Sequence, residues 1–155
     1  MTDPSAPPQR QRIAAYAVVR DATDRLLLTR LAPHVAGVAG RWTLPGGGID
    51  HGVDLRDAVV REVYEEAGVH VDVGAVLDVR SAHWVGPRPD GVVEDFHSIQ
   101  VIYDATLRPE SVGVTPAVTE VGGSTDACAW LTPAEVADRP LVPLAAHAIA
   151  LLAER

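Results

Sequence analysis

Glu62, Glu65 and Glu66 fall one helical turn apart, with Arg61 beside them. At about 100° per residue, this spacing gathers the three carboxylates within an arc of about 100° on one helix face. Without a partner they repel, and a like-charge pair at i,i+4 destabilises a helix by roughly 0.2–0.5 kcal/mol. They also sit in the last turn, where the helix dipole disfavours anions. A divalent cation removes both objections. Magnesium takes hard carboxylate oxygens and keeps waters and substrate phosphates as its other ligands; manganese is a natural substitute. Arg61 is placed to pair with one carboxylate and fix its direction. A solvated acidic helix face gives the same local pattern, so the surroundings must decide between the two.

The acids need a helix and a stop. Leu55, Ala58, Val59 and Val63 recur at helical spacing, which predicts a helix over Leu55–Ala67 with one buried stripe. Asp54 is the expected cap of its first amides, and Gly68 is the expected left-handed stop. Just upstream, Trp42-Thr43-Leu44-Pro45-Gly46-Gly47-Gly48 reads as a glycine-rich loop that lets backbone approach a ligand. Trp42 is expected to brace that loop by packing. Glycine loop, capped helix and acid cluster in one stretch argue for a site rather than a solvated face.

This stretch resembles the Nudix box, G-x5-E-x7-R-E-U-x-E-E-x-G-U, where U is bulky and apolar. Gly47 takes the first glycine, and Arg61-Glu62-Val63-Tyr64-Glu65-Glu66-Ala67-Gly68-Val69 fits every fixed position of the second half. The first glutamate of the box falls on Val53. In the family that residue supports the metal site from the start of the helix; Asp50 and Asp54 are the nearby acids available to take its place.

The resemblance implies an α+β fold, an α/β/α sandwich with a central mixed sheet. It implies hydrolysis of a phosphoanhydride in a nucleoside diphosphate linked to another group: a nucleotide sugar, a dinucleotide or a nucleoside triphosphate. It implies Mg2+ (or Mn2+) held by Glu62, Glu65, Glu66 and Gly46. Such a reaction needs charge neutralised on two phosphates, a water aligned with phosphorus, and a carboxylate to take the water's proton. Arg61, Glu62, Glu65, Glu66 and Glu120 are the expected catalytic set. Glu120 is preferred as base over Asp126 and Glu110, because it sits in a long loop beside Gly122 and Gly123. Arg41, Gly47 and Trp84 are the expected substrate contacts. Ser81, Trp84 and Pro87 partly match the NADH-pyrophosphatase signature S-Q-P-W-P-F-P-x-S, and Pro87 falls near a proline of ADP-ribose-cleaving relatives. The contrasting expectation, kept open by Val53, is a catalytically weak or inactive Nudix domain acting as a nucleotide-binding sensor.

Composition limits the partners. The chain has 155 residues, enough for one domain with a proper core, and 47% of them are hydrophobic. Its formal charge of −8, with every one of its 13 basic residues an arginine, argues against unaided binding to nucleic acid or anionic membranes. An anionic substrate must therefore be met by metal and local arginine. Cys128 is the single cysteine and lies in an apolar run, which reads as an inert core thiol. No segment reads as a signal peptide or membrane span, so the cytoplasm is the expected location. A homodimer is expected only by analogy with the family.

Along the chain, Met1–Gln11 reads as a disordered lead and residues 12–155 as a single domain. Strands are expected at Arg12–Arg20, Arg25–Leu31, Val71–Val79 (continuing through Arg80–Trp84), Phe96–Leu107 and Ala127–Leu131. Gly86–Gly91 and Arg108–Thr125 read as loops. Thr132-Pro133-Ala134-Glu135 is a capping box, and Pro143–Glu154 a closing helix.

Overall fold

The computed structural model describes residues 3–88 and 90–155. Two sheets and two helix layers make the fold. β1 (Gln9–Val19) pairs on one side with β4 (Gly46–Gly48), antiparallel, and on the other with β6 (Val93–Leu107), parallel. β5 (Val71–Pro87) closes this sheet antiparallel to β6, giving the mixed order β4-β1-β6-β5. The second sheet is antiparallel, with β2 (Leu26–Leu31) between β3 (Trp42–Thr43) and β7 (Thr125–Leu131).

Alternation along β1 separates two cores. Ala15, Ala17 and Val19 face α1 (Leu55–Ala67), whose Val59, Val63 and Ala67 are buried against them. Val18 lies on the opposite face with Leu144, Ala145 and Ala148 of α3 (Pro143–Ala153). The alanines of β1 allow close approach of α1, and each buried valine on that helix adds roughly 1.5–3 kcal/mol of apolar burial. The short α2 (Pro133–Ala137) starts at the capping box, with Thr132 and Glu135 exchanging side-chain-to-backbone bonds. This is the α/β/α sandwich with a mixed sheet. Among the described residues, no helix is long and apolar enough to cross a membrane.

α1 begins and ends where local chemistry dictates. Asp54 accepts from the amides of Arg56 (2.9 Å) and Asp57 (3.2 Å), a cap worth about 1 kcal/mol. Gly68 takes φ 68° and donates to the Tyr64 carbonyl at 2.8 Å.

Several expected boundaries move. The strand expected from Arg12 begins at Gln9, because β6 reaches back to Val93 and gives Gln9–Gln11 partners in Asp95–His97. The ordered domain therefore includes the end of the expected lead; Met1 and Thr2 lie outside the described residues, as does Pro89 in the expected loop Gly86–Gly91. The glycine run is not a free loop either. Gly46–Gly48 form an edge strand, since the open side of Ala14–Tyr16 offers a ladder to pair with. The loop expected at Arg108–Thr125 contains a 3-10 turn at Pro109–Ser111, and β7 starts at Thr125.

Candidate active site

β4 and the last two turns of α1 meet at the edge of the mixed sheet, and the three glycines of β4 are used differently there. Gly46 has φ 142°, and a Cβ on it would lie 2.2 Å from the Ala15 carbonyl oxygen. Gly46→Ala is therefore expected to destabilise the fold by about 3 kcal/mol or more, through backbone strain and overpacking, as read by chemical denaturation. Gly47 faces the Glu62 carboxylate, whose Oε2 would lie 3.8 Å from an added Cβ, an ordinary contact. Gly48 lies directly under the guanidinium of Arg12: an added Cβ would sit 2.0 Å from Nε and 2.1 Å from Cζ.

Glu66 is the anchored acid. Only 4% of it is exposed. Its Oε1 accepts from the Gly46 amide (3.3 Å) and its Oε2 from the Thr125 hydroxyl (3.1 Å). Its carboxyl also hydrogen-bonds that of Glu62. Burial first, then the Glu62 charge, holds its pKa well above the carboxylate range. Glu62 is raised too, by burial first and also by Glu65 and Glu120, while its bond to Glu66 pulls the other way. Two carboxyls this close share a proton when nothing else neutralises them. The neighbouring Tyr16 phenol is pushed up to about 12, by burial and then by Glu66 and Glu62, against the lowering pull of Arg12.

Glu65 is less enclosed. It sits 3.8 Å from Arg61 in a half-exposed ion pair, worth about 0–1 kcal/mol. Its main-chain carbonyl does more: it accepts from the amides of Thr119 (2.9 Å) and Glu120 (3.0 Å), while the Ala67 carbonyl accepts from Ala117 (3.0 Å). These bonds satisfy carbonyls left open at the end of α1 and fasten the long loop across it. Glu120 is thereby carried close enough for its charge to act on Glu62. Its Oε2 would be 2.7 Å from a Cβ on Gly123, so the carboxylate folds over that glycine.

The structure thus brings Glu62, Glu65, Glu66, Glu120, Gly46 and Gly47 together, with Arg61 at the rim. The other candidates fall elsewhere. Asp126 is held by Arg30 through two bonds (2.8 and 3.3 Å), and Glu110 lies by Arg108 at 3.5 Å. Among the described residues, no side-chain bond ties Arg41 or Trp84 to the acids. Trp84 is 51% exposed on β5, with its ring 4.6 Å from that of Phe96. Trp42 braces: its ring lies near the Arg30 and Arg139 guanidinium groups, and its main chain bonds Pro140 and Val142. Tyr64 stacks on His70 rather than entering the core. At the Val53 position, Asp54 is committed to the cap and Asp50 accepts the Val53 amide at 3.2 Å through its main chain. Neither is seen to bond Arg61 or the acids.

Do these residues suit magnesium? Among the described residues, no group of three or more His, Cys, Asp or Glu side chains forms a ready cage. What exists is an open patch of hard oxygen donors with excess negative charge, one of them buried and with its pKa raised by burial and by Glu62. That fits an ion that takes one or two carboxylates and fills its remaining positions with water and phosphate. It does not fit a soft metal, which needs thiolate or imidazole ligands.

A family model for the NUDIX domain matches residues 10–152. The chain belongs to the Nudix family. Among similar proteins, a nucleoside triphosphatase NudI of Enterobacter sp. (strain 638) is 30% identical over 101 residues, which is 61% of this chain and 68% of that one. The m7GpppN-mRNA hydrolase NUDT17 of Homo sapiens is 31% identical over 126 residues, 76% of this chain; the match spans 37% of the length of that longer protein. The crystal structure of a MutT NUDIX hydrolase from Burkholderia pseudomallei superposes with a TM-score of 0.67 at 26% identity, covering 92% of this chain and 97% of that one. This Nudix protein is accordingly an enzyme of the pyrophosphohydrolase type, with its acid patch where the box falls.

Sequence reasoning missed three contributors. Thr125 orients Glu66, Thr119 pins the loop through the Tyr64 and Glu65 carbonyls, and Arg12 covers Gly48. Only Arg12 carried a signal: a basic residue at the start of a strand in an acidic chain. Its meeting with Gly48 depends on strand register, which spacing alone does not reveal.

Proposed function

We propose that this Nudix hydrolase cleaves a phosphoanhydride of a nucleoside diphosphate linked to another group, with Mg2+ held by Glu62, Glu65, Glu66 and the main chain of Gly46. The observation that carries this is the buried, doubly anchored Glu66 beside the half-buried Glu62, with Glu120 facing them from a fastened loop. A bound divalent ion would neutralise charge on the substrate phosphates. Gly46 and Thr125 hold Glu66 in one orientation, and Arg61 aligns Glu65. Glu120 takes the proton of a water attacking phosphorus in line. The new bond joins water oxygen to phosphorus, the anhydride P–O bond breaks, and its electron pair leaves on the departing phosphate.

A nucleoside triphosphate, cut to a monophosphate and pyrophosphate, is the favoured substrate. It suits the relative named as a nucleoside triphosphatase and a chain of net charge −8 without lysine, which suits a long capped RNA poorly. Gly47 faces the phosphates beside Glu62, and the exposed Trp84 ring gives the base a stacking surface. A cytoplasmic setting and a homodimer complete this reading.

The test is incubation with Mg2+ or Mn2+ and nucleoside triphosphates, ADP-ribose, NADH, nucleotide sugars and capped RNA, with products identified. Release of a monophosphate and pyrophosphate from a triphosphate is expected. Glu120→Gln is expected to lower kcat by about 10²–10⁴-fold with KM little changed. Tight nucleotide binding without product would instead give the sensor reading, with Val53 as its cause. Full activity in Glu120→Gln would remove Glu120 as the base.

A further inference from the structure

Arg12 is exposed, yet its guanidinium is seated rather than free: it lies against Gly48 where any other residue would place a Cβ. Among the described residues it forms no ion pair. It is thus an uncommitted positive charge on the strand next to Gly46 and Gly47, beside a patch of four carboxylates. Strand alternation adds direction. Arg12 shares a face of β1 with Tyr16, which feels Glu62 and Glu66, and with Arg10, whose guanidinium lies 5.5 Å from the Phe96 ring centroid. Register places Phe96 opposite Arg10 and Trp84 opposite Phe96. Along this face the line runs from Tyr16, at the β4 edge where the acids reach the sheet, through Arg12 over Gly48 to the aromatic pair. The step from Arg12 to Arg10 is about 7 Å along the strand. A nucleotide lying along it would place phosphate at Arg12 and its base at Trp84 and Phe96.

We infer that Arg12, seated on Gly48, is a phosphate-binding residue that grips the substrate phosphate nearer the base while the metal patch holds the scissile one. Gly48 serves by lacking a side chain. The seat keeps the flat guanidinium at the rim without a carboxylate partner, so no ion pair must break when phosphate arrives. The ligand class is a nucleoside di- or triphosphate, in preference to inorganic phosphate or an unphosphorylated nucleoside.

This rests on the hydrolase reading, and the two can fail separately. KM and kcat would be measured for the triphosphate cleaved best, in Arg12→Ala, Arg12→Lys, Gly48→Ala and the Arg12→Ala/Gly48→Ala double variant. Arg12→Ala is expected to raise KM roughly 10- to 100-fold, the loss of one charged hydrogen-bonding group, with kcat within about threefold. Arg12→Lys recovers part of this. Gly48→Ala strikes only the end of a flexible side chain, so its melting midpoint stays near wild type while KM rises. The double variant is no worse than the poorer single one, because both lose the same contact. Unchanged KM in Arg12→Ala or in Gly48→Ala, or a double variant whose effect is the product of the singles, would overturn the inference. If the wild type cleaves nothing, calorimetric Kd for a nucleoside diphosphate replaces KM and the same pattern is required.

Discussion

Glu66→Gln is expected to lower kcat/KM by at least about 10²–10³-fold and, in metal-free buffer at neutral pH, to raise the melting midpoint. The two effects share one cause. Glu66 is buried, bonded by Gly46 and Thr125, and pressed against Glu62. Glutamine keeps the shape and can still accept from the Gly46 amide. Its NH2 can donate to the Thr125 hydroxyl or to Glu62. It removes a buried carboxyl that, beside Glu62, must either carry a charge in a desolvated place or hold a proton above its ordinary pKa, and this relieves roughly 1 kcal/mol or more at neutral pH. For a domain of this size that is about 2–4 °C. It also removes a negative oxygen donor where transition-state charge must be balanced, and such losses run to about 10²–10³-fold. A purely structural Glu66 predicts the reverse: a variant that melts earlier and keeps its turnover. Activity assays and scanning calorimetry on one preparation separate the two.

The second large effect is an inverted pH dependence of the metal-free protein. Glu66 and Glu62 have folded pKa values raised above the ordinary 4.5. Across the window from there up to the raised values, the folded state holds a proton that the unfolded state has lost. The unfolded state therefore binds fewer protons, and stability must fall as pH rises through that window. Asp126, Asp78 and Asp21 are lowered by their partners, so their contribution is lost only as pH falls through values below 3.8. The metal-free protein should accordingly be most stable in mild acid and lose several degrees of melting midpoint toward neutrality. Saturating Mg2+ should restore most of that loss at neutral pH and little of it in acid, where the ligands are protonated. Melting curves from pH 4.5 to 8, with chelator or with Mg2+, read this directly. In Glu66→Gln the slope should flatten.

What could be read in advance divides by range. The helix α1 is readable from cap to cap, because Asp54 and Gly68 act on amides and carbonyls within the same few residues. The acid patch followed from helical geometry. Glu66 is legible as an acid, but not as the buried one with a raised pKa. Its partners Gly46 and Thr125 stand 20 and 59 positions away, and only the folded chain brings them together. Glycine propensity argued for a loop at Gly46–Gly48, yet the unpaired edge of β1 outweighed it and made a strand. That strand seats Arg12, a relation written in register rather than in spacing. The sequence points to Glu120 through its long, glycine-flanked loop. The folded chain places it for a different reason: the amides of Thr119 and Glu120 cap the open Glu65 carbonyl.

The most direct test of the metal centre is Mn2+ binding followed by electron paramagnetic resonance, in wild type and Glu66→Gln, at pH 5.5 and 7.5. The structure predicts wild-type binding that tightens as pH rises and Glu66 gives up its proton, and a weakening of about tenfold or more in the variant. Equal Mn2+ affinity in the two proteins, insensitive to pH, would contradict a metal centre built on Glu66 and with it the account of this site.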